Sequence, residues 1–272
     1  MKVLLTNDDG ISATGLNVLR QALLEVPGIE LAVIAPDSNR SATARSITFR
    51  EPLDVNEVEF GDGTKGYATS GTPVDCVRFA ALGLIDLEPE LIVSGVNHGA
   101  NLGDDITYSG TVAAAFEGIM LGLPAIAVSQ QADHGEMDFR AGTSWSRESF
   151  GQAAAFVASL VEEMADVPVP KGTLLNVNAP AGTINGVRAC RLGKRVYHDR
   201  LELTDGDDGR SRYRIYTGQP GYEHEEGTDF AAIADHHIAV TPLHFDLTDQ
   251  AGVERLAGFD LDALLRPAAR EV

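Results

Sequence analysis

Two aspartates stand side by side close to the start of the chain, in Asn7-Asp8-Asp9-Gly10. Neighbouring carboxylates repel each other, so a cation between them is a physical reason for both to be present. Two further loops are rich in oxygen donors. One is Pro36-Asp37-Ser38-Asn39-Arg40-Ser41; the other runs Gly95-Val96-Asn97-His98-Gly99-Ala100-Asn101-Leu102-Gly103-Asp104-Asp105. Carboxylate, hydroxyl and amide oxygens suit a hard cation such as Mg²⁺, Mn²⁺ or Ca²⁺, whereas zinc prefers histidine and cysteine. Taken alone, the Asp8-Asp9 pair fits an Asx-turn or a helix cap equally well. The Asn97 loop, following a separate strand, tips the balance toward a site.

A second chemistry is written in Tyr108-Ser109-Gly110-Thr111-Val112-Ala113-Ala114-Ala115. A Ser-Gly-Thr turn opens an alanine-rich helix. The start of a helix offers unpaired N–H groups and a partial positive charge, which together form an anion site. The two hydroxyls and the Gly110 amide are candidates to hold phosphate oxygens. An ordinary Ser/Thr N-cap reads the same way locally. The glycine-rich loop just before it, which carries no basic residue, favours a metal-assisted phosphate site. Neither G-x-x-x-x-G-K-[ST] nor an opening G-x-G-x-x-G is present, so this is not a P-loop or a dinucleotide fingerprint.

The elements that must position these residues alternate. Short β-branched or leucine-rich runs at 3–6, 31–35, 91–94, 125–129, 173–177 and 238–242 read as strands. Stretches 15–25, 73–84, 111–121 and 150–164 read as helices, the second with Pro73 in its first turn. Continuous apolar strands separated by helices imply a mainly parallel sheet covered on both faces, a three-layer α/β/α, Rossmann-like fold. In such sheets ligands bind beyond the carboxyl ends of the strands, which is where the three oxygen-rich loops fall. The chain reads as a single α/β domain over 1–272, with a core at about 1–194 and 228–248. Residues 195–227 are polar and read as a protruding β-hairpin arm or a solvated loop, with a turn at 205–209 and a strand at 213–216. The remaining 249–272 form a C-terminal extension.

The formal net charge is −19. Such a surface repels nucleic-acid backbones and anionic membranes, so neither a nucleic-acid polymer nor a membrane is an expected partner. It also calls for a cation wherever a phosphate ester binds. Cys76 and Cys190 stand far apart and read as buried thiols in a reducing compartment. The apolar run at 3–5 is too short for a signal peptide or a membrane span, so a cytoplasmic location is expected.

In order along the chain, these motifs resemble the SurE family, the survival protein E nucleotidases. The resemblance also takes in Gly71-Thr72-Pro73 with Asp75-Cys76, Gly227-Thr228-Asp229-Phe230-Ala231-Ala232 and Thr241-Pro242-Leu243-His244, and runs from Met1 to about Thr248. It implies a 5′/3′-nucleotidase acting on nucleoside monophosphates, with a possible exopolyphosphatase side activity. It implies one divalent metal per subunit, Mg²⁺ or Mn²⁺, with Asp8, Asp9, Ser41 and Asn97 as ligands. Asn101, Ser109, Gly110 and Thr111 match the positions lining the phosphate pocket. The resemblance further implies a homo-oligomer, dimer or tetramer, assembled through the arm and a swapped C-terminal segment. This chain departs from the pattern at His98, where a small residue is usual, and at Thr14, where proline is common. Residues 130–142 match no usable pattern.

The mechanism to be expected is in-line hydrolysis of a phosphomonoester, with Asp8 or Asp9 as base. Two rival classes are a phosphatase working through a covalent aspartyl-phosphate, which usually carries a second aspartate two residues on and a lysine, and a nucleotide-binding module without turnover. His98 could approach the substrate, with solvent or a loop contact as the favoured reading. Asp104-Asp105 read as a loop turn, with a supporting role near the metal as the alternative, His236-His237 as no metal site, His244 as structural and Trp145 as packing.

Overall fold

Each apolar run becomes a strand because helices cover both of its faces. The protein is described from a computed structural model, which describes residues 1–132, 145–207, 210–215, 218 and 220–265. The chain opens with β1 (Lys2–Thr6), α1 (Thr14–Leu24), β2 (Glu30–Pro36), β3 (Val55–Glu59), β4 (Lys65–Thr69) and α2 (Pro73–Ala81). It continues through β5 (Leu91–His98), a 3-10 turn (Gly103–Thr107), α3 (Gly110–Met120), β6 (Ala125–Gln130), α4 (Arg147–Glu162) and β7 (Thr173–Ala179). The last part holds β8 (Gly186–Ala189), β9 (Arg195–Val196), β10 (Glu202–Asp207), β11 (Arg210–Arg214) and β12 (Gly221–Tyr222). After these come α5 (Asp229–Ala234), β13 (His237–His244), α6 (Gln250–Ala257) and a closing 3-10 turn (Leu261–Leu265).

Nine strands form one sheet in the order β3-β4-β2-β1-β5-β6-β7-β13-β8. From β4 to β7 every neighbouring pair is parallel, as expected. The edge strand β3 runs antiparallel to β4, and β13 runs antiparallel to β7. One face packs on α1 and α4 around Leu5, Leu16, Leu19, Val93, Phe150 and Val157. The other packs on α2 and α3 around Leu4, Ile92, Val77, Val112 and Ala115. The fold is therefore the mostly parallel α/β architecture that the alternating pattern predicts.

Local rules set the helices. In α1, Leu16, Leu19 and Leu23 recur at helical spacing and are fully buried. Truncating one of them, for example Leu19→Ala, costs about 2–5 kcal/mol. At the start of α2, Thr72 and Asp75 form a capping box, with Pro73 in the first turn. α3 is buried almost all round, and Gly122 at φ +83° follows its end.

Several short elements were not predicted, among them β3, β4, β8, α5 and α6. β3 is an edge strand with charged, exposed positions, β4 is interrupted by Gly66, β8 is four residues long, and α5 has six residues. The polar region 195–227 contains the antiparallel pair β10–β11, rooted by β9 against β12. The expected strand at 213–216 overlaps β11, which ends at Arg214, and residues 205–207 of the expected turn belong to β10; residues 208, 209 and 216 lie outside the described residues. α6 buries none of its residues. Among the described residues no helix is long and apolar enough to cross a membrane.

Candidate active site

The carboxyl ends of β1, β2 and β5 meet at one cleft. Asp8, Ser41, Asn97, Asn101 and Ser109 line it, together with His98, Asp105 and Tyr108. The sheet order explains the meeting. β1 lies between β2 and β5, so the loops after all three open on the same rim.

Asp8 follows β1 directly and is 3% exposed. Its Oδ1 accepts a hydrogen bond from the Thr111 hydroxyl at the mouth of α3. Gly110 makes this approach possible. A Cβ built there would stand 2.8 Å from Asp8 Cβ and 2.9 Å from Asp8 Oδ2. The missing side chain lets the helix mouth close on the carboxylate. Ser109 is the N-cap, its hydroxyl accepting from the Val112 N–H at 3.1 Å. The bland capping reading thus holds for Ser109, which also lines the cleft.

Asp9 points the other way around the same turn. Its Oδ2 accepts from the His98 N–H at 3.0 Å and its Oδ1 from Asn39 Nδ2 at 3.2 Å. Ser41 sits in an exposed loop on the opposite wall, pinned by its own N–H to Asn39 Oδ1 at 2.8 Å. The Arg40 N–H donates to the Asp8 carbonyl at 2.6 Å, which ties that loop to β1.

Asn97 reaches the rim through an irregularity in β5. The register with β6 shifts between Ser94 and Asn97. Gly95 sits there at φ +138°, where a Cβ would meet the Val128 carbonyl at 2.2 Å. A bulge of this kind re-aims the side chains beyond it. The Asn97 amide nitrogen donates to the Gly99 carbonyl at 2.8 Å, which leaves its oxygen for another partner.

The electrostatics of the pair are unusual. Burial raises the Asp8 carboxyl first of all, and the charge of Asp9 adds to this; the Thr111 hydroxyl opposes it. Burial also raises Asp9, against the His98 N–H. The two titrate as a pair at about 6 and about 7, far above an ordinary aspartate. The nearest cationic candidate is His98, whose Nδ1 lies 3.9 Å from Asp9 Oδ1. Burial pushes the His98 imidazole down to about 4, so it is neutral at pH 7 and compensates nothing. Among the described residues no lysine or arginine pairs with either aspartate, and no three His, Cys, Asp or Glu side chains cluster into a metal site. Two buried carboxylates with hydroxyl and amide oxygens beside them are a donor set fit for one hard divalent ion.

Asn101 stands deeper in the cleft. Its carbonyl accepts from Asn176 Nδ2 and Asn178 Nδ2, both at 3.0 Å. Its N–H donates to Asn178 Oδ1, and its own Nδ2 donates to Ser129 Oγ, both at 2.8 Å. Sequence reasoning missed these supports. The signal was available: Asn176 and Asn178 interrupt an otherwise apolar, fully buried strand.

Two readings need refining. The His98 ring is mostly buried, 5.3 Å from Trp145 and 4.9 Å from Phe150 beside α4, and it lines the cleft rather than pointing freely to solvent. Its packing against aromatic rings outweighs the polarity of its loop. Asp105 does lie in a turn, the 3-10 turn Gly103–Thr107, but it is buried rather than part of an open loop. It is 1% exposed and paired with Arg195. Trp145 does pack, and His244 accepts from the Asp246 N–H at the end of β13. Of the unmatched stretch 130–142, residues 133–142 lie outside the described residues.

Comparison with known proteins agrees with this fold. Residues 3–199 match the family described as Survival protein SurE. A protein of Rubrobacter xylanophilus named 5′-nucleotidase SurE is 48% identical, covering 97% of this chain and 99% of its own length. A protein of the same name from Geobacter sulfurreducens is 42% identical, covering 99% of this chain and 97% of its own. The crystal structure of the Sure protein from Aquifex aeolicus superposes with a TM-score of 0.76 at 36% identity, over 94% of this chain and 100% of that one. The chain belongs to the SurE family.

Proposed function

We propose that this protein is a 5′-nucleotidase, a divalent-metal-dependent phosphomonoesterase that releases phosphate from nucleoside 5′- and 3′-monophosphates, with short polyphosphate as a side substrate. One observation carries the reading: the buried Asp8 carboxylate stands against the start of α3 in the cleft that Asn97 and Ser41 share, with Asp9 beside it in the chain and no lysine or arginine paired to either among the described residues. The names of the relatives supply the nucleotide.

Asp8, Asp9, Ser41 and Asn97 would hold one Mg²⁺ or Mn²⁺. When bound, such an ion neutralises phosphoryl oxygens and the charge that develops as the P–O bond breaks. The N–H groups at Gly110 and Thr111, with the Ser109 hydroxyl, seat the equatorial oxygens of the phosphate. Asn101 fixes the far wall. Asp8 Oδ1 is committed to Thr111, so Oδ2 is the atom we assign to accept the proton of the attacking water. The chain acts as one α/β domain in the cytoplasm. The arm at 195–227 and the segment at 249–272 serve contacts in a homodimer or homotetramer.

The test is inorganic phosphate release from 5′-AMP, 3′-AMP and short polyphosphate, each with and without Mn²⁺. Turnover of 5′-AMP that needs the metal is the expected result. Asp9→Ala should abolish it while leaving the fold intact; full Mn²⁺-stimulated activity in that variant would show the assignment wrong. A phosphorylated aspartate trapped by rapid acid quench would point to covalent chemistry instead.

A further inference from the structure

The root of the arm grips the wall of the cleft through a buried charge. Arg195 and Asp105 are ninety positions apart, yet each side chain is 1% exposed and they pair directly. Arg195 Nε donates to Asp105 Oδ2 at 2.8 Å, and its Nη2 reaches the same oxygen. The Tyr197 hydroxyl donates to the other oxygen, Oδ1, at 2.8 Å. The Arg195 N–H donates to Asp104 Oδ2 at 2.9 Å, and its guanidinium lies 4.6 Å over the Phe230 ring. Asp229 fastens the same two segments again, accepting from the Gly103 N–H and the Gly193 N–H, both at 2.8 Å.

What Asp105 holds is the site. It lines the cleft itself. Its carbonyl accepts from the Tyr108 N–H at 2.9 Å, and the Tyr108 carbonyl accepts from the Ala44 N–H at 3.1 Å. Tyr108 leads straight into Ser109, the cap of α3, and Ala44 belongs to the loop that carries Ser41. A buried ion pair stabilises a fold no better than a well-packed apolar pair would. Its advantage is fixed direction: two nitrogens and a hydroxyl orient one carboxylate.

We propose that Arg195, assisted by Tyr197, is a positioning residue for phosphate hydrolysis: through Asp105 it sets the wall from Tyr108 to Ser109 against which the phosphate lies. The assignment rests on the nucleotidase reading above. Misplacing a reacting group by about 1 Å costs on the order of 100-fold in rate. A disturbed wall therefore acts on kcat. Binding of Mn²⁺ is largely spared, because Asp8, Asp9 and Asn97 come from the ends of β1 and β5 and only Ser41 sits on the loop tied to Tyr108.

The experiment uses the full chain with Mn²⁺ and 5′-AMP. Arg195→Lys keeps the charge and loses the two-nitrogen grip. Tyr197→Phe removes one hydroxyl and keeps the ion pair, so it remains informative if Arg195→Lys does not fold. Val157→Ala, on the buried face of α4, serves as a control of reduced melting temperature. For each, kcat, KM, the Mn²⁺ dissociation constant from electron paramagnetic resonance and the melting temperature are measured. We expect kcat to fall at least about 10-fold in Arg195→Lys and about 3-fold in Tyr197→Phe, with KM and Mn²⁺ affinity within about 3-fold of the parent. Unchanged kcat in whichever of the two variants folds would overturn the proposal, as would a loss that Val157→Ala reproduces at equal melting temperature. Absence of phosphate release from the unaltered chain would overturn the nucleotidase reading first, and this assignment with it.

Discussion

Asp8 and Thr111 face each other across the mouth of α3, with the Thr111 hydroxyl donating to Asp8 Oδ1. They are 103 residues apart in the chain. The bond fixes which carboxylate oxygen is engaged and joins the acidic turn after β1 to the helix start proposed to take phosphate. Thr111→Val keeps the shape and removes the donor. A hydrogen bond to a charged group contributes about 1.5–3 kcal/mol, so kcat/KM for 5′-AMP should fall roughly 10-fold or more. Steady-state phosphate assays decide; wild-type kinetics in the variant would remove Thr111 from the site.

Gly110→Ala should be worse than its size suggests. The added methyl would sit 2.8 Å from Asp8 Cβ, nearer than carbon atoms approach without something moving. We expect a stability loss of about 1–3 kcal/mol from overpacking. Activity should fall more than 10-fold, since the atom that must move carries the carboxylate. Chemical denaturation and turnover, measured on one preparation, test both; full activity would mean that α3 can slide away at no cost.

The paired aspartates should make the metal-free protein sensitive to pH in an unusual direction. Unfolded carboxylates titrate near 3.9. The folded pair holds its protons up to about 6 and about 7. Between about pH 4 and 7 the folded chain therefore binds more protons than the unfolded chain, and stability falls as pH rises. Removing metal with a chelator and scanning melting temperature from pH 5 to 7.5 should show this decline. It should be smaller in an Asp8→Asn, Asp9→Asn double variant, and added Mn²⁺ should raise the wild-type melting temperature most at the upper end. Parallel curves for the two proteins would show that the pair is not strained by its charge.

His98→Ala separates packing from chemistry. The ring stacks on Trp145 and Phe150, while the link to Asp9 runs through the His98 main chain, which alanine keeps. Loss of the stacked ring should cost about 1–2 kcal/mol of stability. Phosphate release should stay within about 3-fold of the parent. A collapse of turnover at unchanged stability would give the imidazole a direct part in the reaction.

Much of this site was legible because its residues come directly after strands that read clearly. Val3 to Thr6 and Leu91 to Ser94 are continuous apolar runs, and the loops after them had to lie on one rim of the sheet. Asp8, Ser41, Asn97, Asn101 and Ser109 were named from those positions and from the resemblance, and they do share a cleft. The part that stayed hidden depends on side-chain direction. The sequence has no feature that sends Arg195 to Asp105, or turns Thr111 toward Asp8 when it sits one residue inside a helix. His98 looked like a loop polar residue because its partners, Trp145 and Phe150, belong to a helix region some fifty positions on. β3, β4 and β8 were missed because edge and short strands lack the unbroken apolar run that gives the central ones away.

The reversed direction of β13 decides where the chain leaves the sheet. His98 is level with Gln130, and Gln130 with Ala179, at the end of β7 that borders the cleft. His244 is level with Thr173, at the other end of β7. At about 3.3 Å per residue, the six steps between them put His244 roughly 20 Å behind the rim. Phe245 then rests against Phe116, on the rearward part of α3. An affinity handle or fluorophore attached downstream of His244 thus starts its path from the rear of the molecule, leaving the entrance for nucleotide unobstructed at that point of departure.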